Sequence, residues 1–312
     1  MNTAKKHDIL SPKELNHRLT EGRPVYLIDV LGNDHFRLVH IPGALSTCVY
    51  EVTFLEQVKA ITEDRNAPVV IYGSGSRSMD SVKAAEKLQR EGYTDVQVLK
   101  GGLEAWRKAG LPLEGDAVDE DIDPYTILKL KTRNGTFEAD REQSIIQWTG
   151  RNMNSIHVGS IKLAGGEIKV RDGRFGGKFH LDMDSIENFD LEGNELQPIL
   201  INHLKSDDFF FTKLFPDAVF EIIDAAPVDE PYLSSPNYKI KGRLTLRGVK
   251  LTQEFMATVI ETPPDRVTAE AHFDIDRTRW GIIYGSARFF EYLGMHLVFD
   301  LISIQVKIVI LL

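Results

Sequence analysis

Between Pro24 and Leu99 three short apolar runs, PVYLIDV, PVVIY and VQVL, interrupt stretches whose apolar residues recur every three or four positions. Runs of four to seven mostly β-branched and aliphatic residues predict strands buried on both faces. The wider spacing of SPKELNHRLTEG, TFLEQVKAITE, SVKAAEKLQREG and LEAWRKAG predicts the helices beside them. The first helix carries its own start signal, Ser11 followed by Pro12 and Glu14, and Gly92 and Gly110 supply stops. Strand and helix in alternation predict a three-layer α/β domain around a parallel sheet. Beyond residue 125 the period changes to two. SIIQWTGR, SIKLAGGEIKVRDGRFGGKFHLDMDSI, AVFEIIDA, NYKIKGRLTLRGV, LTQEFMATVIE and VTAEAHFDIDRTRWG all alternate. Gly-Gly, Asp-Gly and Gly-Gly punctuate the second of them at hairpin spacing. One segment, NELQPILINHLKSDDFF, reads as helical. Many even strands plus one helix predict an antiparallel barrel or sandwich.

The C-terminal HLVFDLISIQVKIVILL is apolar enough to suggest a membrane span. Asp300, Gln305 and Lys307 interrupt it, and it is too short to cross. Ile302, Ile304, Val306, Ile308 and Ile310 fall on one face, which predicts a half-buried strand instead.

Charge sharpens the boundary. Glu114–Asp123 holds six acids and no base, while residues 1–113 sum to +1 and the remainder to −4. An acidic run without large apolar residues predicts a solvated linker, giving an N-terminal domain over 1–113, a linker over 114–124 and a C-terminal domain over 125–312. The net charge of −9 argues against nucleic acid and anionic membrane surfaces as partners. One cysteine excludes an internal disulfide framework and a cysteine zinc site, and no metal is expected. No apolar segment of secretory type follows the first lysines, so a cytoplasmic protein is expected.

The chemistry of the first half centres on VVIYGSGSRSMDS, residues 69–81. A strand, a glycine loop and a helix start present backbone amides to an anion, with Tyr72, Gly73, Ser74, Gly75, Ser76, Arg77 and Ser78 as the candidate anion-binding loop. It contains no nucleophile beyond serines without an adjacent base. Together with HIPGALSTCVY and KGGLEAWRKAGLPLEG, this loop resembles the rhodanese family over about residues 8–115. The resemblance implies a loop opened by a cysteine thiolate that carries a persulfide, with amides and an arginine stabilising its charge. Here that position falls on Tyr72 or on Gly73, depending on the anchor, and the sulfur is absent either way. Leu31 and Val39 also depart from the pattern. A catalytically inactive domain is expected, holding an anion or docking a protein partner. Cys48, in the segment expected to form the next buried strand, reads as a small hydrophobe. Sulfur transfer through Cys48 or a partner's thiol is the alternative.

The second half, through WTGRNMNSIHVGSIKLAGGEIKVRDGRFGGKFHLDMDSI, INHLKSDDFFFTKLFPDAVFEI, YKIKGRLTLRGV and FDIDRTRWGIIYG, resembles the YceI-like family over about residues 125–312. That resemblance implies a lipocalin-like antiparallel barrel around a polyisoprenoid chain. From alternation alone a filled interior and a liganded one both remain possible. Phe179, Leu181 and Met183 share a face, as do Tyr238, Ile240, Leu244 and Leu246, and Phe273 and Ile275 with Ala271. Gly242 and Ala271 are expected to leave volume between larger neighbours. Trp148 and Trp280 complete the candidate apolar lining. Arg277 is the candidate for a polar head group, or else the partner of a buried acid. His157 and His203 read as structural hydrogen-bonding residues, and Asp182, Asp184 and Asp190 as solvated surface. The expected function is a carrier or sensor of an isoprenoid lipid or quinone, with no cofactor needed for catalysis.

Overall fold

The computed structural model describes residues 8–120, 130, 133–172, 174–262 and 265–312. The chain divides into two units, residues 1–122 and 123–312. In the first, β1 (Asp8–Leu10), α1 (Pro12–Thr20), β2 (Tyr26–Asp29), α2 (Asn33–Leu38), β3 (Leu45–Ser46), α3 (Phe54–Ile61), β4 (Val69–Tyr72), α4 (Asp80–Arg90), β5 (Val96–Leu99) and α5 (Gly102–Lys108) follow one another. The strands pair in parallel in the order β1-β5-β4-β2-β3. Alternate residues feed two cores. Ile28, Val69, Ile71 and Val98 pack with Phe54, Val58 and Leu88 of α3 and α4, while Leu27, Val70 and Leu99 pack with Leu15, Leu103 and Trp106 of α1 and α5. Each such side chain contributes about 1.5–3 kcal/mol by leaving water. The start of α1 is a capping box: Glu14 N–H donates to Ser11 Oγ (3.3 Å) and Ser11 N–H to Glu14 Oε2 (2.8 Å).

Two expectations for this half need correction. Glu114, Asp116, Asp119 and Glu120 are exposed, but the backbone of Glu114–Ala117 is tied to the α/β unit and is no free linker. His40 and Glu114 exchange both backbone hydrogen bonds, Asp116 N–H donates to Arg37 O, and Ala117 N–H donates to Leu38 O. Backbone pairing holds this acidic segment on the domain despite its charge; residues 121–124 of the expected linker lie outside the described residues. Cys48, although buried, follows the two-residue strand β3 and does not lie in it.

The second unit contains β6 (Gly135–Glu138), β7 (Ile145–Arg151), β8 (Ile156–Arg171), β9 (Arg174–Asn188), α6 (Leu196–Lys205), β10 (Asp217–Pro227), β11 (Tyr238–Leu246), β12 (Val249–Thr262), β13 (Arg266–Asp276) and β14 (Leu301–Leu311). All neighbours are antiparallel, in the order β6-β8-β7-β14-β13-β12-β11-β10-β9, and β8 also pairs with β9, which closes the circuit into a barrel. β6 and β7 lie along the same edge of β8, at Glu167–Val170 and Ile156–Ile161, so they act as one interrupted strand. Of the expected Asp-Gly turn, Asp172 follows the end of β8, while Gly173 lies outside the described residues. Gly165-Gly166 and Gly176-Gly177 lie inside β8 and β9 rather than at turns. Gly166 is there because a Cβ on it would meet the Phe179 ring at 2.4 Å. Among the described residues no helix is long and apolar enough to cross a membrane.

Candidate functional site

The barrel encloses a cavity of about 450 Å³, within the range of small-molecule sites. Of the twelve candidate residues, Trp148, Phe179, Leu181, Met183, Tyr238, Ile240, Leu244, Leu246, Phe273, Ile275 and Arg277 line it. Strand pleating brings the aliphatic and aromatic ones together, since inward positions recur every second residue on β7, β9, β11 and β13. Trp280 does not line it. It is 1% exposed, belongs to a core cluster with Phe209, Phe210, Leu204 and Ile282, and donates from Nε1 to Leu244 O (3.2 Å).

The expected origin of the free volume also needs correction. A Cβ on Gly242 would meet the Phe220 ring at 2.2 Å, so that glycine's space is already filled. Gly159 stands in the same relation to the Trp148 indole (2.5 Å), and Gly166 to Phe179. Three glycines thus leave room for aromatic rings that line the cavity. Phe255, stacked on Phe273 at 4.1 Å and tilted against Phe220 at 5.6 Å, extends this aromatic surface. Sequence reasoning missed Phe220, Gln253 and Phe255 as lining residues, although Leu251, Gln253 and Phe255 alternate in register with the inward face.

Arg277 is no open head-group contact. Its Nε donates to Phe299 O (3.1 Å), Nη1 to Ile282 O (2.7 Å) and Nη2 to Val298 O (2.9 Å), with Asp300 at 3.7 Å. It clasps both ends of the segment from Ile282 to Phe299. Burial lowers its pKa, opposed by Asp300 and Asp276. His157 and His203 make the structural contacts expected of them, to Asp190 (2.8 Å) and Asp208 (3.0 Å). Asp190 is therefore a junction rather than solvated surface, since it also accepts from Val158 N–H and Asn188 Nδ2. Among the described residues no three His, Cys, Asp or Glu side chains gather as a metal site requires.

In the α/β unit Tyr72 ends β4 inside the core, fully buried, its hydroxyl accepting from Ile41 N–H (3.0 Å). It belongs to the fold and not to an open anion site. Neighbouring Asp29 is likewise buried, and desolvation pushes its carboxyl up to about 6. The loop opens with Gly73, and a side chain of the chain itself turns into it. Asp80, 4% exposed at the start of α4, turns its carboxylate back into the loop. Asp80 Oδ2 accepts from Ser74 N–H (3.1 Å), Ser74 Oγ (3.1 Å) and Ser78 Oγ (2.8 Å), while Oδ1 accepts from Ser81 N–H (2.7 Å). A Cβ on Gly73 would stand 1.9 Å from Asp80 Oδ1. Of the donors expected to meet a small oxyanion, the Ser74 amide and the Ser74 and Ser78 hydroxyls are thus taken by the resident carboxylate. Gly75 and Ser76 add no side-chain group to the cradle in this arrangement, and Arg77 is exposed. The KGG run serves the same loop, because Leu103 and Glu104 N–H donate to Gly73 O and Ser74 O, and a Cβ on Gly102 would meet Gly73 O at 2.4 Å.

Comparison with known proteins covers both units. The YceI-like domain family matches residues 137–310 and the Rhodanese-like domain family matches residues 11–109. The N-terminal part is 33% identical over 109 residues to the probable adenylyltransferase/sulfurtransferase MoeZ of Mycobacterium tuberculosis, covering 35% of this chain and 27% of MoeZ. It is 31% identical over 97 residues to the thiosulfate sulfurtransferase GlpE of Vibrio cholerae, covering 31% of this chain and 85% of GlpE. The chain therefore spans about a quarter of MoeZ and most of GlpE. Among solved structures, Burkholderia cenocepacia BcnA aligns with 55% of this chain and 98% of its own, at 19% identity and a TM-score of 0.44. A polyisoprenoid binding domain from Saccharophagus degradans aligns with 56% of this chain and 97% of its own, at 13% identity and a TM-score of 0.42.

Proposed function

Because this chain belongs to the YceI-like family and carries a rhodanese-like domain ahead of the barrel, we propose that it is a cytoplasmic carrier or sensor of an isoprenoid lipid and performs no sulfur transfer. The observation that carries this reading is the apolar cavity of about 450 Å³ running inside a closed barrel. Burying a methylene there gains about 0.8 kcal/mol, so a few isoprene units supply more than ~10 kcal/mol before the costs of association and ordering. A packed interior would offer none of this. The glycine loop holds Asp80 where the rhodanese resemblance implies a sulfur, which supports a docking or structural role for the first domain.

The test is organic extraction of the purified full chain followed by mass spectrometry. The wild type is expected to release, or to take up from solution, a polyprenyl compound or quinone. Leu244→Glu, which sets a carboxylate against the apolar lining, is expected to bind none while keeping the wild-type far-UV spectrum. A folded wild type that extracts empty and takes up no isoprenoid overturns the carrier reading.

A further inference from the structure

Two polar side chains stand out in the lining. Trp148 is 7% exposed, and its Nε1–H is shut off from solvent with no hydrogen-bond partner among the described residues; Gln253 Nε2 is in the same state. Both residues line the barrel cavity. Their register partners offer no side-chain acceptor. Trp148 sits in register between Ile304 and Gly159, and Gln253 lies opposite Gly242. Buried donors are almost always paired, because an unpaired one loses its hydration without return. Two unpaired donors in a mostly apolar cavity therefore need an explanation.

We propose that Trp148 and Gln253 are the specificity contacts of the cavity, and that they select uncharged isoprenoids bearing a carbonyl-type acceptor oxygen over pure hydrocarbons. An indole N–H can only donate, so what it recognises must accept; the Gln253 amide adds donors of its own. The register partners Ile304, Gly159 and Gly242 carry no charge, and two further arginines of the lining are engaged elsewhere, Arg133 with Asp265 and Glu261 and Arg151 with Ser303 Oγ, so a phosphate placed against these donors would have to draw a counter-ion from those contacts. Arg277, the cation expected to meet a head group, is already committed to three carbonyls and Asp300. A neutral oxygen meets both conditions. This inference rests on the isoprenoid-carrier reading and adds the ligand's head-group class to it.

The experiment compares three probes on the full chain: a long-chain ubiquinone, squalene and a polyprenyl phosphate. The wild type is expected to bind the quinone roughly tenfold more tightly than squalene, as one to two net hydrogen bonds allow. Infrared difference spectra should show the quinone carbonyl band at lower frequency than in hexane. Gln253→Leu and Trp148→Phe should each narrow the quinone-to-squalene ratio by about three- to tenfold without weakening squalene, and Trp148→Phe should return the carbonyl band toward its hexane position. Empty Gln253→Leu should melt no lower than wild type, since it removes an unpaired donor; it therefore serves as the test variant if Trp148→Phe fails to fold. A ratio unchanged in folded variants overturns the inference and leaves the carrier reading intact. Tightest binding of the phosphate overturns the choice of an uncharged head group. Failure of every probe to bind overturns the carrier reading and this inference with it.

Discussion

Gly73 and Asp80 are complementary: the glycine gives up its side chain, and the aspartate occupies the space that a side chain there would need. The first half of this pair is legible in the sequence, because a glycine after an apolar strand, in a loop without sulfur, stands out. The second is not. An acid in the first turn of a helix is what the macrodipole favours anywhere, and nothing in MDSVKAAEK indicates that this one turns backward into the loop. Tyr72 was obscured for a related reason, since its place at the strand end fits burial as well as exposure. Removing the carboxylate frees Ser74 N–H, Ser81 N–H and two hydroxyls. Asp80→Ala is therefore expected to gain millimolar sulfate binding, seen as amide shifts at Ser74 and Ser81, while the wild type stays silent. Neither protein should turn over thiosulfate, because neither has a thiol in the loop. Sulfate shifts of equal size in both would show that Asp80 does not block the cradle.

At the scale of elements, period-two alternation locates the strands well but cannot distinguish a turn from a strand that passes a bulky neighbour. Gly165-Gly166 and Gly176-Gly177 carry the same residues as a hairpin turn, and only tertiary packing decides between them: the ring of Phe179 requires Gly166 to remain in the strand. The segment from Ile282 to Phe299 illustrates the opposite difficulty. It has almost no regular structure, and no local signal indicates what orders it. Arg277 does so from outside, through carbonyls at both ends of the segment. Arg277→Leu leaves those carbonyls without their donors and is expected to cost about 3 kcal/mol. The damage should be local. Limited proteolysis is expected to cut between Ile283 and Leu297 in the variant and not in the wild type, with exchange protection of β11 and β12 retained. Uniform loss of protection across the barrel would instead make Arg277 a residue of the global core.

Across the whole molecule, the two changes of sequence grammar near residues 113 and 125 bracket the division between the units, and fold class is readable in each. What the sequence could not show is closure, since pairing between β8 and β9 and between β7 and β14 depends on register over distances no local pattern reports. Closure has a topological consequence. Both ends of the barrel's chain arrive at Asp265, where Leu312 N–H donates to its carbonyl (2.9 Å) and Arg133 approaches its carboxylate (3.3 Å). A ring of strands has no first member, so the point at which the polypeptide is opened is incidental to the architecture. A permuted barrel, with a short glycine bridge from Leu312 to Arg133 and new termini in the exposed turn at Asp229-Glu230, is expected to fold with the spectrum and cavity of the original. Failure to fold would show that the order of strand synthesis, and not the ring itself, directs assembly.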